Sequence, residues 1–239
     1  MQRLLYCVHC GLSVERFQRY SKGDEGLVPP LARYLWNLRL SEALYPTLNC
    51  IEIGMRNSVH RSFSAEYGPL WFDTPGLLFE AEIKSVEAAK YALARTRKPL
   101  TSEGVVAELN FGFWTKIMSK RHMSENPSDT TDYLKPWPRL LKQTFPHVPK
   151  QRLNRNTLET PLNNIRKLRN RISHHEPIWY QSNLDETYAD AKQLCHWLSP
   201  AMADVIQTID RFPEVYAGGS MAHHDDLRGL TGWEVRGND

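Results

Sequence analysis

LWNLRLSEALYPTLNCIEIGMRNSVH, residues 35–60, decides the fold class. Within it Leu44, Leu48, Ile51, Met55 and Val59 follow one another at spacings of four, three, four and four. At about 100° per residue these positions fall on one side of an α-helix. A buried apolar stripe is therefore expected on a helix from Leu31 to Tyr67, with Pro46 as a kink or boundary. Strand signals are weak elsewhere, with no clear hairpin dipeptide and little period-two alternation.

Helical spacing recurs along the chain instead. Ser13 is positioned to cap a short helix reaching Tyr20, after which SKGDEGLVPP breaks the pattern. Further helices are expected over Leu77 to Arg97 and Ser102 to Lys120, with a short one near Arg139 to Thr144 inside a long Pro- and Ser-rich connection. Another should begin near Asn156, where Glu159 completes a capping arrangement. The last should begin at Asn183 and run past Pro200 to Ile209 with a bend. No repeat of fixed period is visible. The expectation is an all-α protein, with one helical domain over residues 1–212 and a flexible tail over 213–239.

Composition narrows the classes of function. The chain has 239 residues, 24% charged and 41% hydrophobic, with a formal charge of +3. It can bury a sizeable core, and any contact with nucleic acid must come from a local patch. Cysteines at positions 7, 10, 50 and 195 do not make a disulfide framework in a chain this long. A reducing, cytoplasmic setting fits, with no signal peptide and no run of about 18 apolar residues that would span a membrane.

The chemistry-bearing stretch is LRNRISHHEPIW, residues 168–179. On a helix from Asn156 onward, Leu158, Leu162, Ile165, Leu168 and Ile172 form an apolar stripe, and Arg169 projects into it. Asn170 and His174, four apart, share a neighbouring polar face. A guanidinium aimed at a core stripe is costly to desolvate unless an anion meets it, so a structural ion pair at an ordinary helix end is one reading. A second stretch, EIGMRNSVH, sets Glu52 and Arg56 one turn apart beside the first stripe, with Asn57 following. Alone, that pair is an i,i+4 salt bridge worth about 0.3–0.5 kcal/mol. Packing the two seams together would gather two Arg-Asn pairs and a histidine at one rim. Arg binds phosphate bidentately and stabilises charge growing in a transition state, and histidine moves protons near neutral pH. No cluster of Asp and Glu at metal spacing accompanies these residues, and no cofactor is expected.

Arg169-Asn170, three residues and His174 resemble the R-x4-6-H motif of the HEPN superfamily. Glu52, three residues and Arg56-Asn57 resemble its E-x3-[KR]-N motif. The stretches LWNLRLSEALYPTLNCIEIGMRNSVH, YGPLWF, AELNFGFWTKI and LRNRISHHEPI, in that order, resemble the Abi-like (abortive infection) branch over residues 12 to 210. Ser173 stands before the motif histidine, where that branch more often has Ala. The resemblance implies a HEPN-like helical bundle with extra helices and metal-independent RNA cleavage, acting as a toxin in antiphage defence. It assigns catalysis to Arg169, Asn170 and His174, with Glu52, Arg56, Asn57 and His175 in support. It also implies an RNA substrate, an RNA or protein antitoxin, and a homodimer in which both motifs face a shared cleft. A two-fold axis would supply the second proton-transfer group; His175 could supply it within one chain instead.

Three weaker signals carry bland readings. Cys7 and Cys10 in CVHC, with His9 between them, are half of a zinc site without a second half, so no metal is expected there. MAHHDDL reads as a solvated tail. Phe111, Phe113 and Trp114 could stack bases, but beside Leu109 and Ile117 they read as core. The rival to the nuclease is a non-catalytic HEPN-fold module that binds RNA or protein. A purely structural helical protein is a third reading, which leaves the doubled Arg-Asn pairs unexplained.

Overall fold

Every regular element among the described residues is an α-helix or a short 3-10 turn, and none is a strand. The computed structural model describes residues 10–23, 25–118, 134, 136, 137, 139–224 and 227. The helices are α1 Val14–Gln18, α2 Val28–Tyr67, α3 Glu80–Arg95, α4 Ser102–Glu108, α5 Phe111–Ile117, α6 Leu141–Thr144, α7 Arg155–Ser173, α8 Leu184–Leu198, α9 Pro200–Gln207 and α10 Phe212–Gly218. The all-α expectation holds. Among the described residues no helix is long and apolar enough to cross a membrane.

The expected stripe is buried: Leu44, Leu48, Ile51, Met55 and Val59 are each 4% exposed or less. Helix α2 runs through Pro46 without a break. The stripe of α7 is buried over Leu158, Leu162, Ile165 and Leu168, while Ile172 is half-buried.

The chain falls into two compact units. One comprises Met1–Pro46, Leu168–Asp185 and Ile209–Asp239; the other comprises Thr47–Lys167 and Glu186–Thr208. In the first, Ser13 caps α1 by accepting from Arg16 N. Tyr20 is buried, packs edge-on against Tyr34 and stacks on Trp179. Arg33 pairs with Glu25, and its guanidinium lies over the Trp179 ring. The boundary expected at 213 falls inside α10. Phe212 is buried and stacks on Tyr216, and Trp36 Nε1 donates to Val215 O at 2.8 Å. Pro213 in the first turn suits a helix start, which the glycines that follow obscure in the sequence.

The second unit is built around Trp71. Its ring is fully buried and meets Phe63, Phe72, Phe113 and Trp114 at centroid distances of 5.0, 5.6, 6.4 and 6.3 Å. Phe111, Phe113 and Trp114 are thus core residues, as expected. Helix α3 packs on α4 and α5. The single helix expected from Ser102 to Lys120 is two, because Asn110 takes an extended conformation and caps α5 by accepting from Phe113 N. The bend expected at Pro200 is likewise a break: Ser199 is extended and caps α9, with Pro200 at its start. At the head of α7, Asn154 Oδ1 accepts from Thr157 N and Oγ1, so the cap lies two residues before Asn156.

His60 fastens this core to α2. Trp71 Nε1 donates to His60 Nδ1 at 3.0 Å, which requires the imidazole lone pair there. Burial holds His60 below the usual imidazole range, against a raising effect of the Glu103 carboxylate. A lowered folded pKa means that the unfolded chain binds the proton more readily. The stability held by neutral His60 is therefore complete above about pH 6.5 and is lost as pH falls through the lower folded value. Urea unfolding between about pH 7.5 and pH 5 should show the parent chain losing more stability than a His60→Asn variant. Equal losses would reject this role.

Candidate active site

The residues of the first motif cluster where α7 ends. Arg169 and Asn170 are half-buried, and His174 and His175 are exposed. His174 N donates to Asn170 O at 2.9 Å, closing the last α-helical turn. His175 then adopts φ 56°, the left-handed region. His175 N donates to Ile172 O at 3.0 Å, and Glu176 N donates to Arg171 O at 2.7 Å. These paired bonds form a Schellman stop, with histidine where glycine is usual. Pro177 follows and cannot continue a helix. Arg97 at φ 55° ends α3 in the same way, with Lys98 N donating to Leu93 O and Pro99 next. The positive φ of His175 is therefore a helix-stopping device.

Three side chains that sequence reasoning missed hold this turn. Arg16 Nη2 donates to His175 O at 2.6 Å. Arg171 donates through Nη2 to Pro177 O and to Tyr180 Oη, each at 2.7 Å. Asn37, buried on α2, accepts at Oδ1 from Ile178 N at 2.7 Å and Trp179 N at 3.2 Å. Asn37 had a readable signal: it precedes Leu44 by seven positions and so shares the face of the buried stripe. A polar residue there needs a partner. Arg16 and Arg171 had none, since both read as ordinary surface cations.

Beside the turn lies a cavity of about 160 Å³ lined by Arg16, Tyr20, Tyr34, Asn37, His175 and Glu176, among others. The site thus sets one guanidinium, one carboxylate and two tyrosines beside exposed imidazoles on fixed backbone. It offers a proton-transfer group beside a mainly apolar recess, whose walls include Leu12, Leu38 and Ile172.

The second motif belongs to the other unit. Glu52 and Arg56 are half-buried on α2, and Asn57 is exposed. Asn57 lines a separate cavity of about 470 Å³ with Arg61 and His147. No group of three or more His, Cys, Asp or Glu able to hold a metal ion occurs among the described residues. Cys7 and His9 lie outside the described residues, and Cys10 is exposed.

Truncating Asn37 to Ala would leave two N–H groups of the turn without their acceptor, at a cost of roughly 1–3 kcal/mol. The expected outcome is a lower urea midpoint and faster amide exchange at Ile178 and Trp179, with Asn37→Asp restoring much of the loss. Unchanged exchange in Asn37→Ala would reject the clamp. No family model, curated protein or solved structure matches the chain.

Proposed function

We propose that this protein is a metal-independent endoribonuclease of the HEPN type, acting as a toxin in abortive infection. The observation that supports this most is the helix terminus of α7, where Arg169, Asn170 and His174 occupy the final turns and the backbone beyond them is tied down on both sides. The resemblance to the Abi-like branch supplies the reaction class. The local geometry supplies a reason why these side chains suit it.

In the proposed reaction Arg169 binds the scissile phosphate and stabilises the charge that builds on it. Asn170 orients the phosphate or the imidazole. His174 transfers the proton, either taking it from the ribose 2′-OH or giving it to the leaving oxygen. The 2′-oxygen bonds to phosphorus and the P–O5′ bond breaks, leaving a 2′,3′-cyclic phosphate upstream and a 5′-OH downstream. The second proton-transfer group comes from the same motif in a second copy, so the active form is a homodimer. The resemblance alone gives Glu52, Arg56 and Asn57 supporting roles, and they belong to the other unit.

Purified protein incubated with total RNA in EDTA should cleave it. Arg169→Ala and His174→Ala should each reduce cleavage by about 10²–10³-fold or more while unfolding at the parent's midpoint. Substituting hydrogen for the attacking 2′-OH should stop the reaction. Products bearing a 5′-phosphate, or activity that vanishes in EDTA, would overturn the chemistry. Full activity from a species that light scattering shows to be monomeric would overturn the shared site.

A further inference from the structure

The second unit holds a feature that RNA cleavage does not use. Cys50 on α2 and Cys195 on α8 lie 145 positions apart in sequence, yet their sulfurs are 2.9 Å apart. Both are free thiols and both are buried. The close approach has a structural cause one turn along α2. A Cβ added at Gly54 would stand 3.3 Å from Leu198 Cδ1 and 3.6 Å from Leu198 Cβ, so the missing side chain lets α8 come near. Gly54 and Leu198 lie four and three residues beyond the two cysteines, on the same helices. A disulfide needs sulfurs about 2.03–2.05 Å apart, so closing the bond requires an approach of about 0.9 Å.

Access is provided as well. The cavity of about 470 Å³ is lined by both cysteines, with Gly54, His147, Leu198 and Met202 among its other walls. Cys50 is 8% exposed and Cys195 is 2% exposed, so Cys50 is the more reachable sulfur.

We propose that Cys50 and Cys195 form a peroxide-reactive dithiol that closes to a reversible intrachain disulfide. Cys50, as thiolate, attacks one oxygen of hydrogen peroxide; the O–O bond breaks, and Cys50 becomes a sulfenic acid as water forms. Cys195 then gives up its proton and attacks the Cys50 sulfur. The S–S bond forms, the S–O bond breaks, and a second water leaves. In all, two thiols lose two protons and two electrons, and one peroxide becomes two waters. The electrostatics agree with this order. The hydrogen bond from Cys195 holds the Cys50 thiol below the ordinary thiol range, against the raising effect of burial. Cys195 is pushed well up by giving that bond and by burial. In a reducing compartment such a bond is transient and sensory in character.

The test uses the full chain carrying Cys7→Ser and Cys10→Ser, treated with a small excess of hydrogen peroxide and mapped without reductant. The expected result is a loss of two hydrogens per chain, a linked Cys50–Cys195 peptide pair, and reversal by dithiothreitol. The melting temperature of the oxidised chain should rise on the order of 5–10 °C. With Cys195→Ala added, oxidation should stop at a sulfenic acid on Cys50 that dimedone captures; with Cys50→Ala, Cys195 should take no label. The proposal is overturned if both thiols still alkylate fully on denaturation after peroxide treatment, or if the link joins two chains. The parent map decides alone should either alanine variant fail to fold. RNA cleavage does not enter the readout, so the result stands apart from the proposed nuclease activity.

Discussion

Burial of one face of α2 is the constraint on which the rest depends. Leu40, Leu44, Leu48, Ile51, Met55, Val59 and Phe63 are each 4% exposed or less. Each such side chain contributes about 1.5–3 kcal/mol on leaving water. A proline inside a helix costs about 3 kcal/mol, since it removes one hydrogen bond and crowds the preceding turn. The stripe outweighs that cost several times over. This is why α2 continues through Pro46 where local propensity alone would end it.

The same balance explains what could be read from sequence and what could not. Periodic burial was legible because each position in a stripe repeats the same evidence, as in Leu44 to Val59 or Leu158 to Leu168. The Ser13 cap and the aromatic core at Phe111 to Trp114 were legible for a similar reason, since residue type and spacing agreed. Helix breaks fared worse. Asn110 and Ser199 each end one helix and cap the next, a choice of a single backbone conformation that an otherwise helical pattern conceals. Ser199-Pro200 did carry a usable sign, a capping residue followed by proline at the first helical position. At the candidate site, the identity and spacing of Arg169, Asn170 and His174 were in the sequence. The clamp on the turn was not, because Asn37 meets Ile178 across 141 positions. Cys50 and Cys195 illustrate the same limit, since nothing local to either announces the other.

Polar groups inside apolar stripes mark where each unit is pinned. Asn37 shares the face of the α2 stripe and accepts two backbone N–H groups. Further along, Ser58 and Ser62 are buried on the same helix and reach α6: Ser58 Oγ donates to Thr144 O, and Ser62 Oγ bonds Thr144 Oγ1 at 2.8 Å. An apolar residue at any of these positions would bury as well but would fix no register. Satisfied polar contacts add modest net stability and considerable specificity, because the misaligned alternatives strand a buried donor or acceptor.

That distinction bears on the candidate site. A proton-transfer residue must be reachable by substrate, so its side chain cannot be packed for rigidity as a core residue is. Its position must then be fixed through the backbone. At the end of α7 the two demands fall on different atoms: the imidazoles of His174 and His175 are exposed, while the peptide groups around them are bonded to Asn170, Arg171 and Ile172 and, through His175 O, to Arg16. Arg171 and Asn37 hold the next residues in the same manner. Misplacing a catalytic group by about 1 Å can cost 10²-fold in rate. On the proposed reading, then, the residues that set the rate include Asn37, Arg16 and Arg171, none of which needs to touch the substrate.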